Sequence, residues 1–306
     1  MSFSTMTRPV FLYPWIALLW AASSFFGTTA DAQPASSRKS AERLLEIPNL
    51  SPDEASAFMH RFRNTKLASD FVFDFHLKHI PARGRPTVYS GHLAGTWNQQ
   101  GPLQRIELAE FDELADNNTS WLISGGMEPA IYEGTPVASE ATEVWGRVEE
   151  SRVASESLIP LTPITAFDLQ LPFVFWENFE WVRSQRVLGR PAYIYDMRPA
   201  TPIETSRGKI ARVRLYIDAD FAALLRAEYF DESDAQIRQL KVLSFKEVSG
   251  QWIPKVLDFV ETGSREKVRF EVRAAALNQL VPRSVFDLSG NVNDSWNVSN
   301  LVFERL

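Results

Sequence analysis

The chain contains no cysteine. Within these 306 residues that excludes disulfide staples, thiolate metal sites, cysteine nucleophiles and a lipid-modified cysteine, so stability has to come from burial. Histidine is scarce, with four residues: His60, His76, His79 and His92. His76 and His92 can share the outer face of a hairpin with Asp74, whereas His76 and His79 differ by an odd number and point to opposite faces of a regular strand. Solvated or internally bonded histidines account for this set, and no metal site is expected. The H-E-x-x-H, G-x-S-x-G, phosphate-loop and G-x-G-x-x-G patterns are all missing, so neither a catalytic constellation nor a cofactor is expected. Lys+Arg number 32 against 38 Asp+Glu, a net charge of −6, which argues against the basic footprint of nucleic-acid binding. Beyond residue 26 no apolar run approaches the about 20 residues of a membrane helix.

What is present begins with a contrast between residues 1–32 and the rest. Arg8 precedes a short apolar stretch, FLYPWIALLWAASSFF, interrupted by Pro14, and Ala30-Asp31-Ala32 forms an A-x-A pattern before Gln33. These features read as a secretory signal peptide over residues 1–32, so an exported protein of the periplasm or cell envelope is expected. Its removal takes away Arg8 and Asp31, one charge of each sign, and leaves the balance unchanged. Residues 33–49 read as a polar linker with a short helix at 40–46, and residues 50–306 as one domain. Hydrophobic residues make up 45% of the chain, enough for a sizeable core.

Ser51-Pro52-Asp53-Glu54 is a capping box with proline at the first helical position, and Ala55, Phe58, Met59 and Phe62 follow at helical spacing. A helix over 51–64 is expected. From residue 70 the period changes to two. Phe71, Phe73, Phe75 and Leu77 alternate with more polar partners, and Tyr89, Leu93 and Trp97 share a face with Gly91 and Gly95. Glycines inside a strand mark curvature or close approach. Further strands are expected at 103–110, 119–124, 128–133, 142–148, 180–188, 191–197, 210–218, 223–230, 236–248, 251–261 and 266–274. The connections are short, as at Ser249-Gly250 and Gly263-Ser264, which implies an antiparallel meander. The expected fold is mainly β: one strongly curved antiparallel sheet covered by a few helices.

Residues 158–181, LIPLTPITAFDLQLPFVFWENFEW, are very apolar yet carry Pro160, Pro163 and Pro172. A helical candidate covers 161–178, with Leu169, Phe173 and Trp176 at i, i+4 and i+7. The segment reads either as an ordinary core helix or as a mobile cover over an apolar cavity.

The phrases Val187-Leu188-Gly189-Arg190-Pro191-Ala192-Tyr193-Ile194-Tyr195, Val213-Arg214-Leu215-Tyr216-Ile217-Asp218, Leu225-Arg226-Ala227-Glu228-Tyr229-Phe230-Asp231 and Gly250-Gln251-Trp252-Ile253-Pro254-Lys255 carry a family resemblance. The ending Asn278-Gln279-Leu280-Val281-Pro282-Arg283-Ser284-Val285-Phe286 adds to it. Over roughly residues 50–288 the chain resembles the outer-membrane lipoprotein-sorting proteins of the LolA/LolB-like superfamily. The resemblance implies a half-barrel with helices in its concave face and a cavity for lipoprotein or lipid acyl chains. It also implies inner- or outer-membrane lipoprotein-transport proteins as partners. The arginine that latches some carriers has no aligned counterpart; Arg190, Arg212 and Arg214 qualify by type alone. Phe71, Phe73, Phe75, Leu93, Trp97, Val213, Leu215 and Phe270 are expected on the concave face, and Leu169, Phe173 and Trp176 on the cover, together lining the apolar cavity. The function this implies is a non-enzymatic carrier or binder of acyl chains. The alternative is a periplasmic sensor or assembly factor that takes a protein segment into the same concavity.

The A-x-A pattern sets one expected outcome. Mass analysis of protein isolated from its own cell envelope should give an N-terminus at Gln33, and a retained Met1 with membrane association would refute cleavage.

Overall fold

The computed structural model describes residues 47–98, 101–110, 119–125, 129–136, 143–159, 162–206, 208–288 and 298–306. The expected signal segment, the linker up to residue 46 and the short helix at 40–46 lie outside the described residues.

The capping box forms as its sequence dictates. The Glu54 backbone N–H donates to Ser51 Oγ at 3.4 Å, and the Ser51 N–H donates to Glu54 Oε2 at 2.8 Å. These bonds to Ser51 hold the Glu54 carboxyl below its usual range. They open helix α1, Pro52–Asn64, which buries Ala55, Phe58, Met59 and Phe62. Two short helices follow much later, α2 at Glu150–Val153 and α3 at Ala166–Gln170.

The strands are Phe71–Ile80 (β1), Thr87–Asn98 (β2), Gly101–Glu110 (β3), Thr119–Ser124 (β4), Ala130–Pro136 (β5) and Glu143–Arg147 (β6). After the cover come Asn178–Val187 (β7), Arg190–Arg198 (β8), Ile203–Thr205 (β9) and Gly208–Ile210 (β10). Arg212–Asp218 (β11), Leu224–Phe230 (β12), Gln236–Val248 (β13), Gln251–Glu261 (β14), Lys267–Leu277 (β15) and Glu304–Arg305 (β16) complete the set. Each expected strand is found, with ends moved by a few residues. Among the described residues they make one large antiparallel sheet in the order β6-β5-β4-β3-β2-β1-β15-β14-β13-β12-β11-β8-β7, with β16 on β15 and a separate β9–β10 ribbon. Successive hairpins build each half, and the β1–β15 pairing joins them (Phe71 opposite Leu277, Ile80 opposite Lys267).

The sheet curls. Residues 129–131, leading into and opening β5, and residues 199–203, beyond β8, line one cleft although they sit near opposite ends of the strand path. The end strands β6 and β7 do not pair, so the barrel stays open. The inside of the curve holds a single core running from Ala55 to Leu277, filled by α1, α3 and the inward side chains of the strands. A second, smaller core lies on the outer face, where Val281, Val285 and Phe286 pack on Val72, Ala94 and Leu122.

Glycine and phenylalanine set the curvature near the middle. Phe71 stands opposite Gly95, and Phe75 opposite Gly91. The rings lie over the glycines: a Cβ on Gly95 would fall into the Phe71 ring, and one on Gly91 would meet the Glu107 carbonyl oxygen. Phe71 then packs on Phe73 at 4.9 Å between centroids, and Phe75 on Phe270 at 4.5 Å.

One element differs from expectation. Of the helix expected over 161–178, the described part, residues 162–178, is not one helix with a single stripe. Helix α3 stops at Leu171, whose φ of 48° is left-handed, and a 3-10 turn, Pro172–Phe175, follows before β7. Pro172 is the reason: its ring disfavours the helical conformation at the residue before it and supplies no N–H.

Gly91→Ala is expected to destabilise the fold by about 1–3 kcal/mol, because the opposing backbone oxygen has no rotamer through which to yield. Urea unfolding monitored by circular dichroism measures this, and an unchanged midpoint would show that the strands can part freely.

Candidate functional site

Strand β13 has an inward parity defined by Leu240 and Val242, and β14 by Leu257 and Phe259. Arg238 and Glu261 continue those parities one step further and stand directly opposite each other. Each strand thus puts a charge on its apolar face. Arg238 bonds Glu261 and also reaches across the interior to Asp168 of α3. A third donor, Nη2, bonds the Pro163 carbonyl at 3.1 Å. Asp168 Oδ2 also accepts from the Thr165 N–H and Oγ1, both at 2.9 Å, which caps α3. Burial works against the Arg238 charge, but Asp168 and Glu261 outweigh it and hold the guanidinium above its ordinary range. Tyr229 lies across from Arg238 on β12. Burial, reinforced by Asp168, pushes its hydroxyl well above the usual value, so it stays neutral.

The cover, residues 148–159 and 162–176, is tied at two further places. Arg63 of α1 donates to the carbonyls of Val174 at 2.8 Å and Trp176 at 2.6 Å. Burial lowers its guanidinium to about 10, with Glu177 pulling the other way, so it is charged at neutral pH. Gln170 Nε2 donates to the Ser124 carbonyl at the end of β4, at 3.0 Å. Apolar contacts lie between these ties: Phe173 on Tyr229 at 5.4 Å, and Phe167 on Tyr229 at 6.3 Å.

The cover separates two spaces. Beneath Ile159 and Leu169 is an apolar pocket walled by Phe75, Leu77, Leu93, Ile106, Leu108, Leu257, Phe259 and Phe270, with Gln104 as the one polar side chain among its described lining residues. Its volume is about 30 Å³, room for a water or two, with Ile159 and Leu169 packed over it. On the other side, between the two ends of the sheet, an open cleft of about 1260 Å³ is lined by Phe167, Trp176, Pro172, Pro202, Arg147 and Glu150 among others.

All the residues expected in the cavity lie in or against the inner core. Phe75, Leu93, Phe270 and Leu169 meet at the apolar pocket, and Trp176 faces the open cleft. Phe71, Phe73, Phe173, Val213 and Leu215 are packed within the core and line neither space, while Trp97 stacks under Lys66 at 5.6 Å. Arg190, Arg212 and Arg214, the latch candidates by type, sit on the outer face and bond Asp218 and Asp196 instead. The arginines that hold the cover are Arg238 and Arg63. Opposite charges on the inward parities of two adjacent strands were the available signal for the first. Nothing in the local sequence marks the second. Asp74 and His92 are cross-strand neighbours, and burial lowers the His92 imidazole with Asp74 opposing. Among the described residues no group of His, Asp and Glu is arranged to hold a metal.

Residues 164–290 match a family described only as an uncharacterized protein. No curated protein matches the chain. Solved structures do. A DUF1329 family protein from Desulfovibrio piger superposes with a TM-score of 0.65 at 14% identity, covering 78% of this chain and 99% of that one. A putative outer membrane lipoprotein-sorting protein domain from Vibrio parahaemolyticus gives 0.60 at 11%, covering 72% and 89%. A LolA superfamily protein from Nitrosomonas europaea gives 0.55 at 13%, covering 76% and 97%. With its open, curled antiparallel sheet and its helices held in the concave face, this chain has the LolA-like fold shared by those proteins.

Proposed function

We propose that this is a non-enzymatic, exported protein of the cell envelope that binds the acyl chains of lipoproteins or lipids, with lipoprotein-transport proteins as donor and acceptor. The observation that carries the reading is the apolar pocket under a cover whose ends are tied by hydrogen bonds to backbone carbonyls. Fatty chains need a wide apolar wall, and the inward phenylalanines and leucines supply it. About ten buried methylenes contribute about 8 kcal/mol. The three arginine bonds to cover carbonyls contribute about 1.5–3 kcal/mol each. Those three bonds are weaker than or comparable with the gain from one buried chain, while the Arg238–Asp168 pair and the packing of Phe167 and Phe173 add to the hold of the cover. Phe71, Phe73, Val213 and Leu215 form the wall that an entering chain meets once the cover, with Phe173, lifts.

The open cleft favours a second reading, a sensor or assembly factor that takes a protein segment. Its prolines, Phe167 and Trp176 offer apolar contact beside Arg147 and Glu150. Native mass spectrometry of envelope-purified protein separates the two: bound lipid supports the first reading, and a stable protein partner without lipid supports the second.

Two outcomes are expected. Replacing Leu169 and Trp176 by Ala should change the affinity or exchange rate of a fluorescent fatty acid while the β-sheet dichroism persists; unaltered binding would make the segment plain core. Arg238→Met should cost about 3–5 kcal/mol, because Asp168 and Glu261 are left buried without a counter-charge. Adding Asp168→Asn and Glu261→Gln should recover most of that loss in urea unfolding. Failure to recover would show that the charges are not coupled.

A further inference from the structure

Gln104 is out of place. It lies on the inward parity of β3, between Gly95 of β2 and Ile123 of β4, and is 3% exposed. Every other described side chain around the pocket it lines is apolar. Its Nε2 is buried and has no hydrogen-bond partner among the described residues. A leucine or methionine would fill the same space without an orphaned donor, since burying an amide N–H unpaired is costly. The pocket therefore carries a polar group that no described protein group satisfies, which only a water or an entering molecule with an acceptor can pair.

We infer that Gln104 is the specificity-determining residue of the pocket, donating through Nε2 to the carbonyl oxygen of an acyl ester or amide. The inference rests on the acyl-binding reading and deepens it, because it names the part of the ligand that is recognised. Hydrocarbon alone is held by area and cannot be told from other hydrocarbon. One fixed donor sets the depth at which the carbonyl stops, and so the length of chain that lies beyond it among Phe75, Leu93, Leu169 and Phe270. A neutral amide also fits an uncharged ester or amide carbonyl without burying an unpaired charge. Ester and amide share this chemistry; the first is the linkage of glycerolipids, the second that of N-acylated protein.

The test uses the purified protein with a naphthylamine fluorophore in the pocket, displaced by tetradecane, by methyl tetradecanoate or by N-methyl tetradecanamide. The wild-type protein should prefer the carbonyl compounds to the alkane. Gln104→Leu should lower that preference about three- to tenfold, with alkane binding retained. The same variant should melt at a higher temperature, as no purely structural hydrogen-bonding role for Gln104 would allow. The better of the ester and the amide identifies the source of the chain. A preference unchanged in Gln104→Leu, or a lower melting temperature, would overturn the assignment while leaving acyl binding intact. If no compound displaces the fluorophore from the wild-type protein, the acyl-binding reading falls, and the role of Gln104 with it.

Discussion

One buried guanidinium sets where the cover sits on the sheet. Arg238 projects from the sheet into a core otherwise built of aromatic and aliphatic side chains, and meets Asp168 from the cover and Glu261 from the neighbouring strand. A charge in that position is tolerable only while both carboxylates stay in place. The contact therefore acts as a registration point: it fixes α3 along the sheet, and through α3 it fixes Leu169, which roofs the apolar pocket. Hydrophobic packing alone would let the short, proline-broken cover slide, because apolar contact has no preferred direction.

The remaining architecture provides the concavity in which this contact operates. Antiparallel hairpins need only short turns, so a long meander can curl without crossover helices to flatten or fill it. Gly91 and Gly95 leave room for the phenylalanine rings opposite them, so the sheet bends where its inward residues are largest. The open side is then left to the cover and α1. Arg63 joins those two through carbonyls that the broken helix leaves without partners, so the breaks at Leu171 and Pro172 create the very groups by which the cover is held.

The outer face follows a different logic. Arg212 and Arg214 on Asp196, Arg269 on Asp258 and Arg190 on Asp218 form cross-strand pairs in which each carboxylate is buried beneath its arginine. The arginines let these carboxylates stay charged while buried, so removing one of them would leave an unpaired charge on this face. The carboxy-terminal segment covers the part of that face where Val72, Ala94 and Leu122 are apolar.

Period-two alternation and turn chemistry were enough to place the strands, their antiparallel hairpins and the inward faces of Phe71, Phe73 and Phe75, because each depends on neighbours within about ten residues, whereas the β1–β15 pairing that joins the halves was not legible. The capping box did the same for α1. The length of the cover's helix was not legible: spacing at i, i+4 and i+7 describes a stripe whether or not a proline breaks the backbone beneath it, and here Pro172 broke it. The latch was not legible either. Arg190, Arg212, Arg214 and Arg238 are all arginines on amphipathic strands, and what distinguishes Arg238 is a carboxylate 70 residues away in sequence. The same holds for Gln104, whose isolation appears only once β14, β15 and the cover close around it. Local periodicity decided which way each side chain points. Which buried polar groups find partners, and which are left waiting for one, was decided only when distant segments packed together.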